Sequence, residues 1–307
     1  MGGGPAAGSS ARRGGRKKKE VETPTCVTAK AGRKIIKAYV AAYVILNIFA
    51  MMYVVAMAPT LPQHTREVLL GHGGVANVTT VVKWSVDYLL SFYIGNAYLI
   101  SALISGLTGV ALYVGLRTFS RVSQDLSGHG IGWPTLALLI AYVGGAAAYV
   151  ALALWAKAEV PHAYAVASAA AGVSGSAGGT ALAEALERAR VAVLSLQVVR
   201  VSYATAGFVE FIKGLCAAIC YYSLWRVMKA PYSRAIAALF MVQGTYTLLR
   251  RLLMVAQNPY LVFVDEASGF IIILVAGRLL LQWGNASAIA RIACKVTAAL
   301  SKHSRVR

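Results

Sequence analysis

Six runs of about twenty mostly apolar residues constrain the fold of this chain more strongly than any other feature. A run of this length crosses the hydrocarbon core of a bilayer as an α-helix, because a helix rises about 1.5 Å per residue. The runs cover residues 36–58, 91–115, 134–156, 203–225, 235–256 and 261–283. The sequence therefore predicts an all-α, polytopic integral membrane protein with about six transmembrane helices packed as a bundle over residues 35–283.

The composition excludes two other classes of protein. The chain of 307 residues is 58% hydrophobic and only 13% charged, about half the charged fraction of an ordinary soluble domain. Its net charge of +19 could indicate nucleic-acid binding, but such domains carry their charge on a polar surface. A mean hydropathy of +0.63 argues against that surface, so we expect no nucleic-acid partner.

The basic residues predict the orientation in the membrane. With six spans and both ends on the cytoplasmic side, twenty Lys and Arg residues lie in cytoplasmic segments and four in external loops. Such an excess is typical of the cytoplasmic side. We therefore expect both termini in the cytoplasm, in the plasma membrane or a membrane of the secretory pathway rather than in an organelle.

The two ends of the chain are predicted to contact lipid. Residues 1–34 form a basic arm with almost no apolar residues before Val27 and are predicted to be disordered. Residues 284–307 form an amphipathic basic helix, which we expect to lie on the inner membrane surface, with Cys294 as a candidate for lipidation. Its apolar stripe consists of Ile289, Ile292, Val296 and Leu300. Anionic lipids of the cytoplasmic leaflet are the predicted partners of both segments.

Two stretches could change the number of spans. Residues 163–183 are mostly Ala, Gly and Ser, which transfer weakly into lipid, so we predict an external loop, with a seventh span as the alternative. Residues 78–90 are apolar but carry Lys83 and Asp87 four positions apart. This spacing favours an interfacial lead-in to the second span.

Sequons and cysteines add two expectations about the compartments. Asn77 begins an Asn-Val-Thr sequon in the first external loop and is the glycosylation candidate, whereas the sequon at Asn285 lies on the cytoplasmic side. All four cysteines, at positions 26, 216, 220 and 294, lie outside the external loops. We therefore expect no disulfide in those loops, and we interpret Cys216 and Cys220 as buried packing residues.

Charged residues inside the predicted spans are candidates for a functional site, because a charge at the centre of a membrane helix costs about 2.5–3.5 kcal/mol. Glu210 and Lys213 lie three residues apart near the middle of the fourth span, and hence on one helix face. They could line an ion or proton pathway. Alternatively, they could form a mutually neutralising pair that fixes helix packing.

A second polar cluster follows from the geometry of a helical hairpin. Spans five and six are joined by a short turn at Asn258, so residues equidistant from that turn lie at similar depth. Arg250 and Arg251 precede the turn by as many residues as Asp265 and Glu266 follow it. These four residues could form an external vestibule for a charged solute or a lipid head group, or a clasp between the two helices.

Small residues repeat at helical spacing in two of the spans. Ser101, Ser105 and Gly109 recur every four residues in the second span, and Ala141 and Gly145 do so in the third. Such stripes allow helix backbones to approach closely. They indicate a packed bundle or contact between copies of the chain in a homo-oligomer.

No sequence motif indicates an enzyme, a metal site or a cofactor. The five histidines are scattered, and neither a phosphate-binding loop nor a nucleophile elbow occurs. The intramembrane charges favour a small transporter or channel-like protein for an ion, a small solute or a lipid. The alternatives are a non-catalytic membrane adaptor, trafficking or assembly protein that acts through its basic ends, and, less favoured, a receptor or sensor.

Overall fold

A computed structural model of the protein describes residues 23–57, 75–172, 176–257 and 268–304. These residues are almost entirely helical, as the apolar runs predict. The helices are α1 (Pro24–Met57), α2 (Val78–Asp87), α3 (Asn96–Ser127), α4 (Gly132–Ala158), α5 (Val160–Ala171), α6 (Gly179–Ser195), α7 (Gln197–Met228), α8 (Ser233–Gln257) and α9 (Ser268–Ser304). A π-helical segment, Tyr88–Gly95, joins α2 to α3, and two three-residue strands, β1 (Val75–Asn77) and β2 (Ser176–Gly178), complete the list.

Five helical stretches are long and apolar enough to cross a membrane. They are Pro24–Tyr53, Val78–Ser127, Gly132–Ala158, Gln197–Met228 and Ile272–Ser301. They correspond to five of the six predicted spans. They confirm the predicted all-α class and are compatible with a membrane protein. The predicted fifth span lies on α8, which has 25 residues but is less apolar than these five stretches and is not one of them.

The six long helices pack in the order of the chain and close into a ring. Each of α1, α3, α4, α7 and α8 contacts the next long helix, and α9 returns to contact α1. The core of the ring is built from large side chains on several helices, among them Tyr39, Leu116, Tyr221 and Phe240. The polar residues described below lie inside this ring.

The outer faces of the ring remain apolar. Ile45, Leu103, Ile140 and Ile273 are 65%, 58%, 64% and 69% exposed, respectively. Apolar surfaces of this extent are unfavourable in water, whereas their contact with lipid chains has no such cost in free energy. The exposed residues therefore agree with the membrane location that the hydropathy predicts.

A small satellite of short helices lies at one end of the ring and corrects the predicted external loop at residues 163–183. Helices α5 and α6 have 12 and 17 residues, and both are shorter than the roughly twenty residues of a membrane span. They pack with α2 around a separate core of valine, alanine and leucine side chains. Strands β1 and β2 pair antiparallel beside them. The region is therefore neither an irregular loop nor a seventh span.

The terminal segments also differ from their predicted boundaries. Helix α1 begins at Pro24, so the last part of the predicted arm is helical, while residues 1–22 lie outside the described residues. Helix α9 runs through the predicted tail without a break. Its buried residues there are Asn285, Ala286, Ala288, Ile289, Ala290 and Ala293. Ile292, Val296 and Leu300 are exposed, so only one member of the predicted stripe, Ile289, packs inward.

The small-residue stripes lie where helices approach closely, as the packed-bundle interpretation expects. A Cβ atom on Gly109 of α3 would collide with Tyr142 of α4, and one on Gly145 would lie 2.9 Å from Cγ1 of Val209 in α7. Ser105 donates a hydrogen bond of 3.1 Å to the carbonyl oxygen of Tyr142. The stripes thus hold α3, α4 and α7 together. Contact between copies of the chain stays a prediction.

Candidate functional site

A polar cavity of about 220 Å³ lies inside the ring and is lined by residues of all six long helices. The lining residues with polar side chains are Tyr43, Asn47, Ser101, Ser105, Thr108, Tyr142, Glu210, Lys213, Gln243, Thr247 and Arg278. Polar groups are expensive in a membrane interior unless they serve packing or a pathway. Their convergence on one cavity from six helices makes this the candidate site.

Glu210 and Lys213 form an ion pair on the cavity wall, as their spacing on α7 predicts. Nζ of Lys213 lies 2.6 Å from Oε1 of Glu210. The hydroxyl of Tyr149, on α4, donates a second hydrogen bond of 2.5 Å to the same carboxylate oxygen. The side chain of Glu210 remains 34% exposed, so the carboxylate is held in place and still faces the cavity.

Lys213 is the more deeply buried member of the pair. Its side chain is 9% exposed, and its ammonium also donates a bond of 3.3 Å to Ser105 on α3. The rings of Tyr142 and Tyr149 lie 5.2 Å and 5.4 Å from Nζ, within the range of cation–π attraction. The pair therefore ties α3, α4 and α7 together at the depth of the cavity.

Arg278 of α9 places a second cation on the cavity wall. Only 4% of this residue is exposed, and its guanidinium carbon lies 4.3 Å from the ring centroid of Phe240 and 5.1 Å from that of Tyr43. Nη1 donates a hydrogen bond of 2.5 Å to Oε1 of Gln243 on α8. Among the residues that the structure describes, Nε and Nη2 have no acceptor.

The second predicted cluster is described only in part. Arg251 is turned toward α7, with its guanidinium carbon 5.2 Å from the ring centroid of Tyr203 and its Cβ against Gly207. It does not line the cavity. Arg250 neighbours it on α8, whereas Asp265 and Glu266 lie outside the described residues. Whether the four residues form a vestibule or a clasp stays a prediction.

The end of the ring opposite the satellite is tied together by contacts that the sequence did not reveal. Cys26 of α1 and Cys294 of α9 form a disulfide, with their Cα atoms 4.6 Å apart, whereas the sequence predicts a disordered arm and a surface tail for these two positions. Thr25 also donates a hydrogen bond of 3.1 Å to Asp125 of α3. Cys220 is buried and Cys216 is half-buried, and both are unpaired thiols, as packing residues would be.

The two predicted sequons lie in different surroundings. The amide of Asn285 is buried and donates hydrogen bonds to the carbonyl of Pro231 and, at 2.7 Å, to Oγ of Ser233. It therefore joins α9 to the turn between α7 and α8 and has no room for a sugar. Asn77 ends β1, at the satellite end of the molecule. Its glycosylation stays a prediction.

Sequence reasoning missed Arg278 and Gln243 as site residues. Arg278 was visible as an isolated cation within the sixth apolar run, but it had no acidic neighbour on its own helix to suggest a partner. Its partner Gln243 comes from the preceding long helix, 35 residues earlier. Tyr149 was missed for the same reason, since it contacts Glu210 across 61 residues of sequence.

The described residues contain no group of three His, Cys, Asp or Glu side chains that could hold a metal ion. The arrangement instead offers one carboxylate, two cations and several hydroxyl and amide groups around a small cavity. Such a set can bind a polar solute or relay a proton. No protein-family model, curated protein or solved structure matches the chain, so its function is argued from the geometry of this cavity.

Proposed function

We propose that the protein is a small membrane transporter or channel-like protein and that the cavity inside the ring is its solute site. The polar cavity of about 220 Å³ lined by all six long helices is the observation that carries the proposal. A helix bundle that served only as an anchor would fill this space with apolar side chains. Transport sites of membrane proteins are found near the middle of the bilayer, between helices that can move relative to one another.

The proposal includes a topology in which all six long helices cross the membrane. Helix α8 is less apolar than the other five, but Arg251 is turned into the bundle. Arg234, near the start of α8, lies 5.4 Å from the ring of Trp225, and an arginine over a tryptophan suits the membrane boundary. Helix α8 can therefore cross the membrane as the fifth of the six spans.

The proposed orientation places both ends of the described chain on the cytoplasmic side. Cations and tryptophans meet at that end of the ring: Lys37 lies 4.3 Å from the ring of Trp283, and Lys229 lies 4.5 Å from that of Trp225. At the satellite end, Arg188 and Arg190 are each within 4 Å of a glutamate on α6. The uncompensated basic charge therefore supports the cytoplasmic assignment.

Glu210 is the residue whose protonation or ion pairing we expect to change during transport. Its carboxylate faces the cavity and is shared between Lys213 and Tyr149. A cation or a proton that entered the cavity would compete with Lys213 for this carboxylate, while an anion would compete with Glu210 for Lys213. Protonation of Glu210, or a cation bound to it, would also weaken its hydrogen bond with Tyr149 of α4, which offers a way to couple binding to a movement of α4 relative to α7.

Flux measurements in liposomes test the proposal. The full-length protein is reconstituted, and uptake of labelled rubidium, chloride, alanine and pyruvate is measured together with proton flux by an internal pH-sensitive dye. We expect flux above that of empty liposomes for at least one probe, and loss of this flux in Glu210→Gln. Glu184→Gln, an exposed acid on α6 away from the cavity, is the matched control and should transport like the unmodified protein.

The alternative function, a non-catalytic membrane adaptor, predicts the opposite result. An adaptor would act through its basic ends, so its reconstituted form would bind anionic vesicles without moving any of these probes. Absence of flux for every probe, from protein that is folded and correctly inserted, would overturn the transport proposal.

A further inference from the structure

One carboxylate oxygen of Glu210 is open to the cavity. The other, Oε1, accepts hydrogen bonds from both Tyr149 and Lys213, at 2.5 Å and 2.6 Å. Oε2 accepts none of these bonds, and it is not one of the buried polar atoms of the described residues that lack a partner. The Glu210 side chain lines the cavity and is 34% exposed. A solute in the cavity can therefore reach Oε2, which forms its strongest hydrogen bonds with charged donors.

The two cations on the cavity wall are much less accessible than this oxygen. The side chain of Lys213 is 9% exposed, and its ammonium is surrounded by Glu210, Ser105 and two tyrosine rings. Arg278 is 4% exposed. Its Nη1 donates to Gln243, and its Nε and Nη2 are buried. An anionic solute therefore meets no exposed ionic donor on this wall.

The charges on the wall also disfavour a simple cation. The ionised residues that line the cavity are Lys213, Arg278 and Glu210, two positive charges against one negative. A simple cation at Oε2 would add a third positive charge, and repulsion between like charges is strong in a site of low dielectric. A solute that carries its own negative charge avoids this repulsion, because its anionic group can lie in the field of Arg278 while its cationic group contacts Glu210.

The side-chain amide of Gln243 offers donors for that anionic group. A guanidinium has donors only, so Gln243 turns its amide oxygen toward Arg278 and its NH₂ group away from it. Gln243 lines the cavity, and its Nε2 is not one of the buried, unpartnered atoms in the described part of the chain. The bond from Arg278 polarises the amide and strengthens its N–H donors.

A second acceptor for a cationic group lies at the depth of Glu210. Lys213 of α7 contacts Ser105 of α3, and both helices begin at the satellite end of the ring, after α6 and α2 respectively. Glu210 precedes Lys213 by one helical turn, and Ser101 precedes Ser105 by one turn. Ser101 also lines the cavity. An ammonium group, which has three donors, can therefore use the Ser101 hydroxyl as well as Oε2.

We propose that the cavity binds a small zwitterionic solute of the amino-acid type. The ammonium of the solute contacts Oε2 of Glu210, and its carboxylate lies toward the amide of Gln243. The volume of about 220 Å³ is several times that of a water molecule and suits a solute as small as alanine. This inference rests on the proposed function in that it names the solute class of the same cavity.

Thermal unfolding of the full-length protein in lipid nanodiscs tests this inference without any measurement of flux. The melting temperature is recorded against rising millimolar alanine at constant ionic strength. Three comparison solutes are propionate, which lacks the ammonium, ethylammonium, which lacks the carboxylate, and betaine, a zwitterion whose ammonium has no N–H group. A ligand that binds only the folded state raises the melting temperature as its concentration passes the dissociation constant. We expect alanine to raise it and the comparison solutes to leave it unchanged.

Variants of Glu210 test the ammonium end of the site. Glu210→Gln replaces a charge-assisted hydrogen bond with a neutral one and should weaken alanine binding about tenfold or more. The double variant Glu210→Gln/Lys213→Met removes the carboxylate without leaving a buried charge, so it should show the same loss even where the single variant does not fold. Glu184→Gln changes an exposed acid outside the cavity and should bind alanine like the unmodified protein.

The variant Gln243→Glu tests the carboxylate end by a change of preference. It keeps an acceptor for Arg278 but removes the NH₂ donors, and it balances the positive and negative charges on the wall. We expect this variant to lose the response to alanine and to gain a response to ethylammonium. Misfolding cannot produce such an exchange, because the gain of a response requires a folded site.

Several results would overturn the inference. They are no effect of alanine on the unmodified protein, an equal effect of propionate, ethylammonium or betaine, full alanine affinity in the double variant, and an unchanged preference in Gln243→Glu. A failure of the transport proposal is recognised separately. Alanine binding that depends on Glu210, combined with no flux of any probe, would support the zwitterion site and reject transport. Flux of another probe without an alanine response would support transport and reject the zwitterion site.

Discussion

The ammonium of Lys213 lies 2.6 Å from the carboxylate of Glu210, one helical turn earlier on α7. The sequence predicted this pair from spacing alone, since residues three apart share a helix face. It did not predict the side contacts to Tyr149 and Ser105, which come from two other helices. Through those contacts the pair joins α3, α4 and α7. The effects expected for variants of the pair follow from this arrangement.

Removing one member of the pair should destabilise the protein more than removing both. Glu210→Gln leaves the ammonium of Lys213 buried without its counter-charge, and we expect it to lower the free energy of unfolding by about 1–3 kcal/mol. The double variant Glu210→Gln/Lys213→Met removes the uncompensated charge and should recover most of that loss without recovering transport. Thermal unfolding in nanodiscs and the flux assay measure the two effects. Additive losses in the double variant would show that the pair is not coupled.

The close contact between α3 and α4 should not tolerate a methyl group. In Gly109→Ala the new Cβ collides with Tyr142, so we expect a loss of about 1–3 kcal/mol from overpacking. Gly144→Ala is the matched control on α4, because a Cβ there meets no atom of the described residues within 4 Å. Its melting temperature should be unchanged or slightly higher. Equal losses in both variants would contradict the packing role of the stripe.

The pair Cys26 and Cys294 offers a test of orientation. The structure joins these cysteines, whereas the proposed topology places them on the reducing side of the membrane, where disulfides do not persist. We therefore expect free thiols when cells are quenched with an alkylating reagent, and a bond after purification in air. Electrophoresis with and without reductant distinguishes the two forms. A bond already present in quenched cells would contradict the proposed orientation.

Formation of the disulfide between Cys26 and Cys294 should also stabilise the purified protein. The two cysteines are separated by 268 residues, and a disulfide that closes a long loop contributes about 2–4 kcal/mol. Reduction, or Cys26→Ser, should lower the melting temperature accordingly. Cys216→Ser is the control, since Cys216 forms no disulfide and reductant should act on this variant as on the unmodified protein.

Glycosylation in a eukaryotic secretory host should depend on Asn77. Glycosidase treatment is expected to shift the protein on a gel, and Asn77→Gln should abolish the shift. Ser287→Ala destroys the second sequon without altering Asn285, whose buried amide bonds to the turn before α8. This variant should retain the shift. Loss of the shift in Ser287→Ala would place the sugar at the other end of the ring and reverse the topology.

Most of the fold prediction rests on hydropathy, and the region that hydropathy misjudged has a physical explanation. It located five helices that are long and apolar enough to span a membrane, since burial in lipid depends mainly on side-chain transfer. It misjudged residues 163–183, where alanine contributes little transfer energy but has the highest helix propensity. The short helices α5 and α6 follow from that propensity and from packing on α2.

The candidate site was harder to predict than the fold, because its residues are brought together across the ring. Glu210 and Lys213 could be paired from local spacing, and their contact is observed. Gln243 and Arg278 meet only because α8 and α9 pack side by side. No pattern along a single helix encodes such a meeting, although an unexplained arginine within an apolar run was a signal that could have been followed.

The closure of the ring by α9 also determines when the site comes into existence during synthesis. Among the described long helices, α1 is synthesised before the other five, yet its neighbour α9 is synthesised after them. Until then Glu210 and Lys213 already face one another on α7, but the cavity lacks the guanidinium of Arg278. A chain released before α9 would therefore insert without one wall of the cavity, and the solute site that we propose is complete only once α9 has joined the ring.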